Sequence, residues 1–158
     1  MNPTIHFLLH QALFGGIAAA GFAVLFNCNP RMLPLCFGAG ALALATRTIG
    51  QDLGGSLAVA SFFAALLVAI IDKVWQDFPS PRGSVLAVVG AIPMVPGSLA
   101  AKVFISVFGF LRSGISPGAA STIATWENLL MLLFTLAAIG TGLALPSLIP
   151  AEPKSANA

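Results

Sequence analysis

The chain is 158 residues long, 58% hydrophobic and 8% charged, with seven Lys and Arg against five Asp and Glu for a net charge of +2. Its mean hydropathy is +0.97. So few charges cannot cover a soluble domain of this size, and no basic cluster is present to neutralise phosphates, so the composition excludes a soluble globular fold and a nucleic-acid partner and points to a polytopic protein of the lipid bilayer.

A spanning helix needs about 20 mostly apolar residues. Residues 5–26 supply the first, and Gly15, Gly16, Ala19, Ala20 and Gly21 give it a small-residue face on which another helix packs closely. No basic segment precedes this run and it is long enough to span, so it reads as a retained helix and not as a cleavable leader. Two asparagines, two prolines and Arg31 in residues 27–34 predict a tight turn. The second span, 33–50, is rather short and carries Arg47 near its far end, where a long side chain snorkels to the interface. The third, 53–71, is closed by Asp72, Lys73 and Trp75, read as an interfacial belt, and 76–83 form the most polar internal loop. Cys28 and Cys36 flank the first turn and read as small apolar residues near helix ends. A metal site would need more ligands close by, and His6 and His10 lie a helix away.

The fourth segment, 84–111, is interrupted by Ile92-Pro93-Met94-Val95-Pro96-Gly97-Ser98. Each proline removes an N–H and clashes with the preceding turn, so two of them three apart unwind the backbone. In a bilayer such backbone is tolerated only where protein or a water-filled cavity satisfies it. The segment therefore reads as a half-helix to residue 92, an elbow, and a second half from residue 98. Ser116 and Pro117 then provide an N-cap and a proline at the first helical position. A fifth helix runs to about residue 145, where Pro146 and Pro150 stop it, and 152–158 form a polar tail. The expected fold is an all-α membrane helix bundle of about five transmembrane segments, the fourth broken at a Pro-x-x-Pro-Gly elbow, with residues 1–151 as one transmembrane domain. With five spans Arg31, Lys73, Arg82 and Lys154 share one side and Arg47 and Arg112 the other, which places the N-terminus outside and the C-terminus in the cytoplasm. A fourth segment that re-enters without crossing reverses the side of all that follows.

Past Gly97 the next helix begins with free N–H groups and the positive end of its dipole at the break, which makes an anion site from Pro93, Pro96, Gly97 and Ser98. Gly/Pro interruptions of this kind mark substrate sites in transporters; a kinked structural helix is the competing explanation. Lys102 follows by about 6 Å along the axis at 1.5 Å per residue. Ser98, Lys102, Ser106, Gly109 and Ser113 share one helical face, expected to line the bundle interior or an aqueous path because charge facing lipid is costly. Snorkelling is the alternative for Lys102. Arg47 adds a second substrate contact if the second span packs beside the fourth. Glu127 is the acid within an apolar span: it is a proton-coupling candidate, or an interfacial anchor beside Trp126. Asn128 bonds across helices or contacts substrate. No zinc-protease, nucleophile-elbow, paired-aspartate or phosphate-loop motif is present, so neither an enzyme nor a cofactor is expected.

Four stretches carry a family resemblance: 21–27 with Pro30-Arg31; Cys36 followed by Gly40-Ala41-Leu42 and Arg47; Ala60-Ser61-Phe62 leading into 65–68; and the elbow from Ala91 to Gly97. On these the chain resembles the threonine/serine exporter family, in particular the short subunit of its split, two-gene members. The resemblance implies export of small hydrophilic metabolites, such as threonine and serine or a dicarboxylate like succinate, across the bacterial inner membrane. It also implies a longer membrane subunit as partner, and proton coupling, for which Glu127 is a candidate that the motif does not itself identify. The chain departs from the family pattern at Leu44, where a histidine is expected, at Ala43, where a glycine precedes it, and at Ala101, where an aromatic is frequent; Lys102 keeps the basic position. A non-transporting membrane scaffold or assembly subunit and a self-sufficient homo-oligomeric pore stand as alternatives.

Overall fold

The computed structural model describes residues 3–76, 86–113 and 119–148, and they contain helices and no strand. The helices are α1 (Pro3–Leu25), α2 (Leu33–Asp52), α3 (Leu57–Gln76), α4 (Leu86–Ala91), α5 (Gly97–Ser113) and α6 (Ala119–Ala144), with 3-10 turns at Pro30–Met32, Ile92–Met94 and Leu145–Leu148. Four helical stretches are long and apolar enough to cross a membrane: Ile5–Leu25, Pro30–Asp52, Leu57–Trp75 and Thr122–Leu148. The pair Leu86–Met94 and Gly97–Gly109 meets the same test together but is bent by 54°, as a broken span or a re-entrant loop. The all-α bundle of four to five membrane segments is thus the architecture of the chain. The Ser116-Pro117 cap, the 77–83 part of the polar loop and the tail lie outside the described residues.

Two helix ends are set by left-handed residues. At the end of α1, Asn27 has φ 55°, and the N–H groups of Asn27 and Cys28 donate to Val24 O and Ala23 O, each at 2.9 Å. These bonds satisfy two of the carbonyls that a helix end leaves open. Gly54, at φ 87°, does the same for α2 through Gly54 N–H to Gln51 O at 2.9 Å and Gly55 N–H to Gly50 O at 3.0 Å. The second helix consequently runs to Asp52, past its expected end at residue 50, and the third starts at Leu57 and not at residue 53. It also continues to Gln76, beyond its expected end at residue 71. Asp72 is buried inside the helix, and Lys73, half-buried, donates from Nζ to Pro146 O at 2.6 Å, tying α3 to the end of α6. Trp75 alone of the three is exposed.

Small residues let the backbones approach, as expected where lipid removes any hydrophobic drive between helices and close packing must hold them. A Cβ on Gly15 would lie 2.7 Å from Gly40 O, one on Gly16 would enter the ring of Phe37, and one on Gly40 would overlap Ala19. Gly21, by contrast, meets nothing, so it lies off the packing face of α1, which continues through the buried Ala23. The core between α1, α2, α3 and α4 is largely alanine (Ala19, Ala39, Ala43, Ala64, Ala65), filled by Val68, Val89 and Met94. Helix α4 is wedged among its neighbours, with Gly90 against Ala39 and Val68. Helix α5 packs chiefly against α6 and exposes Phe104, Ile105, Phe108 and Leu111.

Candidate functional site

Helix α2 presents Leu44, Arg47, Thr48 and Gln51 at i, i+3, i+4 and i+7, one face of a 3.6-residue period. That face looks onto the elbow, because α2 packs against both α4 and the turn at Ile92–Met94, while α1 touches the same turn from the other side. Between them lies a cleft of about 210 Å³, lined from α2 by these four residues, from α1 by Gln11, and from the elbow by Pro93, Val95, Pro96, Gly97 and Ser98. At about 30 Å³ per water it holds a handful of waters or one small metabolite. Gln11 and Arg47 lie roughly 12 Å and 8 Å in from the start of α1 and the end of α2, at 1.5 Å per residue, so the cleft belongs to that half of the bundle.

Arg47 is half-buried, and its Nη1 donates to Met94 O at 2.6 Å. Met94 itself is fully buried, so its carbonyl, left open where the extended Val95 breaks the helix, finds in the guanidinium the partner that a broken helix cannot give it. A guanidinium carries five N–H donors; this bond uses one and leaves the planar fork for an anion in the cleft. Arg47 is thus held against the elbow.

The elbow's own donors differ from expectation. Gly97 N–H donates to Val95 O at 2.8 Å, and the N–H groups of Leu99 and Ala100 both donate to Pro96 O, at 3.0 and 3.1 Å. Ala100 N–H makes the ordinary first i→i−4 bond of α5, so of the N–H groups left open at this helix start those of Gly97 and Leu99 are spent within the elbow, because the backbone turns tightly enough to reach its own carbonyls. The Ser98 N–H and hydroxyl remain for a ligand.

Of the residues singled out in sequence, Arg47, Pro93, Pro96, Gly97 and Ser98 meet at the cleft. Lys102, Asn128 and Glu127 do not line it. Ser98, Lys102 and Gly109 are exposed and Ser106 is half-buried, so the polar stripe of α5 does not face the interior of this chain's bundle; the Ser113 side chain lies outside the described ones. The reason is that α5 leans chiefly on α6 and contributes little but Val103 to the core. Asn128 donates from Nδ2 to Ala124 O of its own helix at 2.8 Å and makes no bond across helices among the described residues, and Glu127 is exposed on α6. Gln11, Leu44, Thr48 and Gln51 were missed. The period of α2 carried the signal for three of them, since Arg47 shares its stripe with a hydroxyl and an amide; Gln11, a single amide in an apolar helix, had no such support. Both cysteines are free thiols, Cys36 buried and Cys28 half-buried, and no group of metal ligands occurs among the described residues.

What this arrangement can do chemically is hold a small anion at a broken membrane helix, with a fixed guanidinium on one wall and uncharged polar groups around it. No solved structure matches the chain. The family described as Threonine/Serine exporter, ThrE, matches residues 11–149, a stretch that begins at the first residue lining the cleft and includes all the rest. The chain is a multi-pass membrane protein and belongs to the threonine/serine exporter family.

Proposed function

We propose that this chain is one subunit of a bacterial inner-membrane exporter for small carboxylate metabolites, threonine and serine or a dicarboxylate such as succinate. The observation that carries the proposal is Arg47 in the elbow cleft, where a guanidinium and the Ser98 donors converge on a space of metabolite size. A permanently charged side chain this far into an apolar bundle is costly unless it has work to do, and a single backbone carbonyl leaves most of its donors without use. Substrate carboxylate on Arg47 and Ser98, against the apolar walls of Pro93, Pro96 and Gly97, gives that charge a partner in the transport cycle. With the N-terminus outside and the C-terminus in the cytoplasm, the cleft opens toward the outer half of the membrane.

A longer membrane subunit completes the path. The exposed stripe of Lys102 on α5 and the flank of α6 that carries Asn128 and Glu127 are where it would contribute, and Glu127 is the residue we assign to proton coupling. Reconstitution of the chain with that partner in vesicles tests the proposal. Efflux of threonine, serine or succinate under a proton gradient is the expected result. No movement of any of them would leave a scaffold, and equal transport by this chain alone would favour a pore.

A further inference from the structure

We infer that Gln11 and Gln51 are the residues that determine which carboxylates the cleft accepts, by reading the polar group at the far end of the molecule from Arg47. The inference rests on the cleft being a carboxylate site, as proposed above. Its starting point is what the lining lacks. Arg47 is its one cation and it contains no acid, so a bound carboxylate has a single place to put its charge. The rest of the lining offers few uncommitted polar side chains. Thr48 gives its hydroxyl hydrogen to Leu44 O at 2.8 Å, and Ser98 sits with Arg47 at the elbow.

That leaves the two amides. Gln11 is half-buried on α1 and Gln51 exposed on the last turn of α2, and neither side-chain amide has a protein hydrogen-bond partner among the described residues. A primary amide that turns from lipid into a cleft without bonding the protein keeps two donors and an acceptor for whatever enters. It brings no charge. A hydroxyl or ammonium beside the substrate's carboxylate can donate to the amide oxygens, and an alkyl group leaves them unpaired. A second carboxylate finds only neutral donors there, with no counter-charge for the water it has lost. A site that hydrogen-bonds a substrate group discriminates far more sharply against its absence than an apolar pocket does against an extra methyl.

The test reads binding apart from transport. Val95 lines the cleft and is exposed, so Val95→Cys, with Cys28→Ser and Cys36→Ala, gives one thiol whose alkylation a bound ligand slows. Threonine, butyrate and succinate are the probes. In the otherwise unchanged chain threonine should protect at the lowest concentration. Gln11→Leu and Gln51→Leu should each raise the half-protecting concentration of threonine about tenfold, the loss of one hydrogen bond, while butyrate is unaffected. Gln11→Asn should recover part of the effect. Gln51→Arg, which adds a second cation, should bring succinate below threonine. Equal losses for all three probes would mean the amides only hold the helices, and an unchanged ranking in Gln51→Arg would remove the assignment, as would failure of every probe to protect. Protection without transport would leave this inference standing while the exporter proposal fails.

Discussion

Arg47 and Met94, 47 residues apart, are joined by a 2.6 Å hydrogen bond from the guanidinium to a main-chain carbonyl. One side chain therefore fastens the broken helix to α2 and charges the cleft beside it. The two roles separate under substitution. Arg47→Gln should strand the buried Met94 carbonyl and lower stability by about 1–3 kcal/mol, whereas Arg47→Lys, a point charge without the fork, should restore much of the stability and little of the carboxylate affinity. Thermal unfolding in detergent and ligand binding, measured on the same preparations, check the split.

The glycines predict a second contrast. Gly40→Ala would drive a methyl into Ala19 and the Gly15 main chain, and overpacking of a tight interface costs about 1–3 kcal/mol. Gly97→Ala meets nothing within 4 Å and its φ is not positive, so it should unfold like the parent. Melting temperatures of the two variants decide; a Gly97→Ala variant as damaged as Gly40→Ala would mean that the elbow is packed more tightly than described.

These contrasts also mark what the sequence made legible. The elbow was readable because proline's missing N–H acts locally, and so were the helices, whose lengths follow from apolar runs. The packing of α5 was not. Its spacing of Ser98, Lys102, Ser106 and Gly109 defined a face correctly, but which way a face turns depends on neighbours, and α5 leans on α6 and away from the core. The burial of Asp72 is illegible for a related reason. Charge near a helix end suggests an interface, but whether the side chain is covered by protein depends on the elements packed against that turn. Arg47 stands out in the sequence as a charge in an apolar span, but its partner depends on a contact between α2 and the elbow that spacing alone does not give.

Gly54 supports a third prediction. At φ 87° a side chain is strained even though no atom lies within 4 Å of its Cβ position. Gly54→Ala should therefore cost about 1–2 kcal/mol and Gly54→Asn less, because asparagine tolerates the left-handed region, as Asn27 does at the end of α1. Hydrogen exchange of the last turn of α2 would localise the loss. Similar values for alanine and asparagine would show that the cap is not what stabilises this end.

The central claim is that the carboxylate is held by Arg47 in the elbow cleft and not by Lys102 one turn beyond it. Equilibrium binding of labelled threonine and succinate to purified protein tests this most directly, with Arg47→Gln and Lys102→Met compared after each is shown to keep the parent's elution volume. The account predicts that Arg47→Gln loses specific binding while Lys102→Met binds within about twofold of the parent, the change expected of a charge that does not touch the ligand. Retained binding in Arg47→Gln, with loss in Lys102→Met, would contradict it.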